Sequence, residues 1–160
     1  MFPLALSRSP RVRLRIAQMV LAVVVVGCGT ISTTPPAATP GPFPEIAGRI
    51  AQQGIVVNRP VSGDPGCPDQ NLAKTAIAFD ASGLDQPTPV RIYVYIFRDR
   101  ATYERLRSTV DDCARTYVTD PATYETVETS PYVLSGQGPW GPQFKEGLRA
   151  AIVAAAGTGD

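Results

Sequence analysis

The densest strand signal in the chain is VRIYVYIF at 90–97, where Val90, Ile92, Val94 and Ile96 alternate with Arg91, Tyr93, Tyr95 and Phe97. Both faces are largely apolar, so this strand is expected either to lie centrally, covered on both sides, or to display an aromatic stripe to a ligand. Beyond it, Tyr103, Leu106, Val110, Cys113 or Ala114, and Tyr117 recur at intervals of three and four. With Asp99 as N-cap, this spacing predicts a helix over 99–117. A second helix is predicted over 142–156, opened by Pro142, carrying Phe144, Leu148, Ile152 and Ala155 inward, and stopped by Gly157. Further strands are predicted at 55–60, 75–81 and 124–135, the last interrupted at Ser130-Pro131 and so placed near an edge or at a bulge. A short helix from Glu45 to a glycine stop at Gly54 precedes the first of these, with Ile46 and Ile50 four apart. Residues 72–81 suit helix or strand in their first half. Strand is favoured in the second, because the turn-rich SGLDQPTP at 82–89 then joins it to 90–97 as a long hairpin.

These elements predict an α+β domain in two layers over 45–160. A small, mostly antiparallel sheet of about four strands carries the two main helices packed on one face.

The start of the chain has a different pattern. Arg8, Arg11, Arg13 and Arg15 precede the apolar run IAQMVLAVVVVGC at 16–28, with no acid among them. A charged front followed by an apolar core is the pattern of a secretory signal. As a helix, residues 16–26 span roughly 16 Å, against about 30 Å of hydrocarbon, so a membrane-spanning anchor is disfavoured. The run ends in Val25-Val26-Gly27-Cys28, which resembles the lipobox of bacterial lipoproteins. The resemblance implies cleavage after Gly27, a diacylglyceryl thioether on Cys28 and often a further acyl chain, palmitate or similar, on the new amino group. Two chains on one residue suffice for stable attachment. Residues 1–27 are then signal peptide and 28–44 a tether beginning at the lipidated cysteine. The tether sequence GTISTTPPAATPGPFP holds five prolines and no charge. At roughly 3 Å per residue it reaches up to about 50 Å from the bilayer.

Removing the signal changes the charge. Its four arginines leave eleven basic residues against fourteen acidic ones, so the mature chain is mildly acidic although the full chain is formally +1. A chain without a basic run is not expected to bind nucleic acid. Setting Cys28 aside leaves Cys67 and Cys113. An even remainder in an oxidising compartment predicts a disulfide between them.

Absences decide much of the chemistry. The chain has no histidine, which removes Ser-His-Asp, Cys-His and zinc-histidine arrangements. Neither Lys74 nor Lys145 follows a serine by three residues, and no phosphate loop or dinucleotide fingerprint occurs. The remaining catalytic or calcium-binding grouping is Asp64, Asp69, Asp80 and Asp85, in or beside loops. For partner binding, the candidates are Tyr132, Gln137 and Trp140 in the stiff segment SPYVLSGQGPW at 130–140, since aromatics bring large buried area at small entropic cost. The competing role for Trp140 is a plug in the core where strand hands over to helix.

The expectation is a non-enzymatic lipoprotein, lipid-anchored to the cell membrane on its extracytoplasmic face. Its domain would bind a partner protein or envelope component, without a cofactor or metal. The alternatives are a carboxylate-dependent envelope hydrolase without histidine and a small-ligand capture protein.

Overall fold

The structure, a computed structural model, describes residues 43–157. The signal segment 1–27, Cys28 and the tether up to residue 42 lie outside the described residues. The element order is α1 (Phe43–Gln52), β1 (Ile55–Ser62), α2 (Gln70–Ala73), β2 (Ala76–Gly83), β3 (Gln86–Ile96), α3 (Arg100–Ala114), a single 3-10 turn (Pro121–Thr123), β4 (Tyr124–Thr129), β5 (Tyr132–Gln137) and α4 (Pro142–Ala156). The strands form one five-stranded antiparallel sheet in the order β1-β2-β3-β5-β4.

The α+β class holds, but the sheet has five strands, because the expected strand 124–135 is a hairpin. Thr129 pairs with Tyr132, so Ser130 and Pro131 reverse the chain between β4 and β5. The expected eight-residue loop at 82–89 shrinks to a two-residue turn, with Gly83 paired to Gln86. Gly83 at φ 133° and Leu84 at φ 54° supply the positive dihedrals that so tight a reversal needs. Pro87 and Pro89 then fall inside β3, in a stretch that lies beyond the reach of β5, whose pairing begins at Ile92.

Three layers replace the expected two, with α3 and α4 on opposite faces of the sheet. Ile92 and Val94 of β3 join Phe79, Leu134 and Val127 beneath Ile46 and Ile50 of α1 and Phe144, Leu148 and Ile152 of α4. Tyr95 and Phe97 point the other way, joining Val133 beneath Val110 and Cys113 of α3 and Leu72 of α2. A strand apolar on both sides needs cover on both sides, and one helical layer cannot supply it. Tyr95 and Phe97 are fully buried, so the aromatic stripe is core.

The helix boundaries are set by caps. Asp99 accepts from the backbone N–H of Thr102 at 2.7 Å and so opens α3, which ends at Ala114, three residues before the expected Tyr117. Helix α1 begins at Phe43, two residues ahead of the expected Glu45. Of residues 72–81, which suit helix or strand in their first half, Leu72 and Ala73 end the single turn α2, capped by Asp69 through the N–H groups of Asn71 and Leu72, and Ala76 begins β2. Helix α4 has no side-chain cap of its own at Gly141. Asp85, at the β2–β3 turn, accepts from the N–H groups of Gln143 and Phe144 at 2.9 and 2.8 Å and closes that end from a distance.

Asp99 yields a pH-dependence. Hydrogen bonds from the Thr102 backbone and hydroxyl and from Arg98 outweigh burial and hold its carboxyl at about 2, below the ordinary 3.8. A depressed folded-state value means that the cap contributes fully above the unfolded-state pKa and is lost as pH falls through the folded one. The thermal midpoint of Asp99→Ala should therefore lie below wild type at neutral pH, and the gap should narrow between about pH 4 and about pH 2. A gap that stays constant down to pH 2 would contradict a charged cap.

Candidate functional site

On the α3 face, the helix covers β3 and β5 and stops short of the edge strand β4. The C-terminal half of α3, the following turn and β4 enclose a groove of about 650 Å³. Ala114, Val118 and Pro121 supply an apolar wall, and Tyr124 and Thr126 of β4 form the facing side. Strand alternation places them there: Val127 turns into the core under α4, so Tyr124, Thr126 and Glu128 turn toward α3.

A compensated polar network lines one end. Arg107 is half-buried and ion-paired to Asp111 at 2.8 Å and to Glu128 of β4. The Tyr124 hydroxyl donates to Asp111 at 2.8 Å, and that of Tyr103 to Glu128 at 3.3 Å. Burial works to lower the Arg107 pKa, but the hydrogen bonds and charges of Asp111 and Glu128 prevail and raise it. Burial, then the bond to Asp111, pushes the Tyr124 hydroxyl above its ordinary range. Burial likewise raises Tyr93, Tyr95, Tyr103 and Tyr117. These phenols stay protonated at neutral pH and act as hydrogen-bond donors, not as bases or nucleophiles. The groove therefore offers shape, an apolar wall and fixed polar contacts.

The four acids singled out in the sequence do not gather around a cleft. Asp69 and Asp85 cap α2 and α4. Asp64 and Asp80 do meet, on either side of Arg91, at 3.2 and 3.3 Å, and Asp80 also pairs with Arg59. All four are thus occupied by backbone N–H groups or guanidinium groups. No group of three potential metal ligands occurs among the described residues.

Cys67 and Cys113 form the expected disulfide. It holds the loop at 63–69 over the tyrosines: Pro65 accepts from Tyr95 at 2.8 Å, Gly66 accepts from Thr116 at 2.7 Å, and Tyr117 lies against Tyr93 at 4.2 Å between ring centres. Gly66 has φ 77°, and a β-carbon there would sit 2.5 Å from Tyr117, so glycine alone fits.

The expected contact surface at Tyr132, Gln137 and Trp140 is not a surface. Tyr132 is fully buried in the α1/α4 core and Trp140 is 5% exposed. Gln137 is held through its side chain, accepting from the Thr119 N–H at 2.8 Å and donating to Thr123. Strand β5 is interior to the sheet, so a side chain leaving it meets helix rather than water. The groove residues Arg107, Asp111, Val118 and Tyr124 are not among the binding candidates named from the sequence. Their only local sign was the i,i+4 pair Arg107/Asp111, since the groove depends on which edge α3 leaves uncovered.

Comparison with known proteins ends without a relative: no family model, no curated protein and no solved structure matches this chain.

Proposed function

We propose that the chain is a non-enzymatic lipoprotein, anchored through Cys28 on the extracytoplasmic face of the cell membrane. Its domain binds an extended segment of an envelope protein along β4, with partner side chains seated in the groove under α3. The observation that carries this reading is the pairing of an open sheet edge with an apolar groove beside it. Strand β4 ends the sheet and runs from Tyr124 to Thr129 in unbroken register with β5. An added strand would find main-chain groups along one line and side-chain room on one face, which is how extended peptides are recognised. The opposite edge suits this poorly, because β1 contains Pro60 and its register shifts between Asn58 and Val61.

The test combines both halves of the proposal in cells. A photoreactive amino acid placed at position Arg115, on the groove rim, should crosslink a membrane or wall protein, and Val118→Arg should abolish the product by filling the groove. Cys28→Ser should lose the acyl mass and leave the detergent phase. If Val118→Arg keeps the crosslink, the groove is not the site. If Cys28→Ser partitions like wild type, the anchor is wrong.

A further inference from the structure

Eleven lysines and arginines fall among the described residues. Nine are in close ion pairs: Arg49, Arg59, Arg91, Arg98, Arg100, Arg107, Arg115, Lys145 and Arg149. Among the described residues Lys74 and Arg105 alone have no such partner, although they are 31 positions apart in the sequence. Both line one cleft of about 370 Å³ between α2 and the first turns of α3.

The acids Asp99 and Asp69, close to this cleft in sequence, are already engaged. Arg98 lines it too, and its Nε is bonded to Asp99 at 2.9 Å. The Asp99 carboxylate is in turn engaged by Thr102, so this acid offsets Arg98 and leaves the other two cations uncompensated. Asp69, the acid of α2, faces a different depression beside Cys67 and Cys113 and is bonded to the N–H groups of its own helix. Asn71 adds an amide at one end of the cleft and Leu106 an apolar wall. In a domain whose acids outnumber its cations, two cations without an ion-pair partner lining one cleft are not explained by the fold. Both residues are exposed.

We propose that this cleft binds a phosphate group, with Lys74 and Arg105 as its principal ligands. Two uncompensated positive charges match the roughly −1.5 to −2 of a phosphate monoester near neutral pH better than a single carboxylate. Arginine brings a planar fork that engages two oxygens and lysine a compact point charge. The phosphate belongs either to a lipid headgroup or to a soluble molecule or wall polymer, and the site chemistry is the same for both. The proposal is independent of the β4 groove, which opens beside the other end of α3.

The experiment uses the chain from residue 28 onward carrying Cys28→Ser, so that neither the signal segment nor acylation brings it to lipid. Inorganic phosphate is titrated while backbone amide shifts are followed, and vesicles of phosphatidylcholine with and without phosphatidic acid are tested for binding. The expected result is saturable phosphate binding, weakened about tenfold or more by Lys74→Ala and again by Arg105→Ala, with Arg115→Ala without effect. Vesicle binding that needs phosphatidic acid and both side chains assigns the phosphate to a lipid. Phosphate binding with no preference between vesicles assigns it to a soluble or polymeric source. The proposal falls if phosphate shifts do not saturate, or if Arg115→Ala weakens binding as much as Lys74→Ala, because the attraction is then only diffuse charge.

Discussion

Removing the Cys67–Cys113 crosslink should cost the domain about 4 kcal/mol, the loop-entropy value for residues 46 apart. That is a large share of the 5–15 kcal/mol typical of a domain. Its source is chiefly the unfolded chain: the bond removes conformations in which the loop at 63–69 and the end of α3 are far apart. In the folded state, the loop stays tied to its surroundings without it, to β3 as well as to the end of α3. Tyr95 still donates to Pro65, Thr116 to Gly66, and Arg91 still pairs with Asp64. The Cys67→Ala/Cys113→Ala variant should therefore keep its fold in dilute buffer while unfolding at a much lower urea concentration. Reduced wild type should behave the same way. The denaturant dependence should also steepen or stay level, because an unbridged unfolded chain exposes at least as much surface. A loss under about 1 kcal/mol would mean that the unfolded chain already holds these segments together.

How much of this molecule can be read from its sequence depends on the range over which each feature is decided. The two long helices are legible from local signals, Asp99 for the start of α3 and Pro142 and Gly157 for α4, whereas the closing of α4 by Asp85 is not. Strand β3 is legible from its alternation, and so is the need to cover both of its faces. What alternation does not convey is which helix covers which face, and that choice separates a two-layer domain from the three layers found. The hairpin at Ser130-Pro131 was misread because a proline interrupting a strand and a proline reversing one look alike until the partner strand is known. Both candidate sites are less legible still. Lys74 and Arg105, or Val118 and Thr126, are unremarkable in isolation, and only the packing of α3 brings each pair to one cleft. Charge summed along the chain hides the same point, since a net acidic domain retains a local excess of positive charge wherever its acids are spent on caps and ion pairs.

Trp140 carries the second large effect expected in this domain, and it separates packing from recognition. Its ring stands edge-on to Phe144 at 6.1 Å between centres, and its indole N–H donates to the carbonyl of Gln137 at 3.2 Å. The strand beneath it is fitted to the ring. A β-carbon on Gly136 would lie 3.0 Å from the indole and 2.6 Å from the Arg91 carbonyl oxygen, so glycine at that position lets β5 and the ring approach closely. Trp140→Ala should cost about 3–5 kcal/mol, from lost apolar burial and a cavity between β5 and α4 that the rigid turn cannot close. Trp140→Phe keeps the aromatic contact and loses the hydrogen bond, so it should cost less and remain folded under conditions where the alanine variant is marginal. Trp140→Phe should also leave the crosslink from position Arg115 unchanged, because the indole faces the α1/α4 core while the groove lies on the opposite side of the sheet. The two readouts together decide the role of the residue. A large stability loss with unchanged crosslinking makes Trp140 the plug of the strand-to-helix corner, whereas full stability with lost crosslinking would return partner recognition to the segment at 130–140 and remove the β4 groove from consideration.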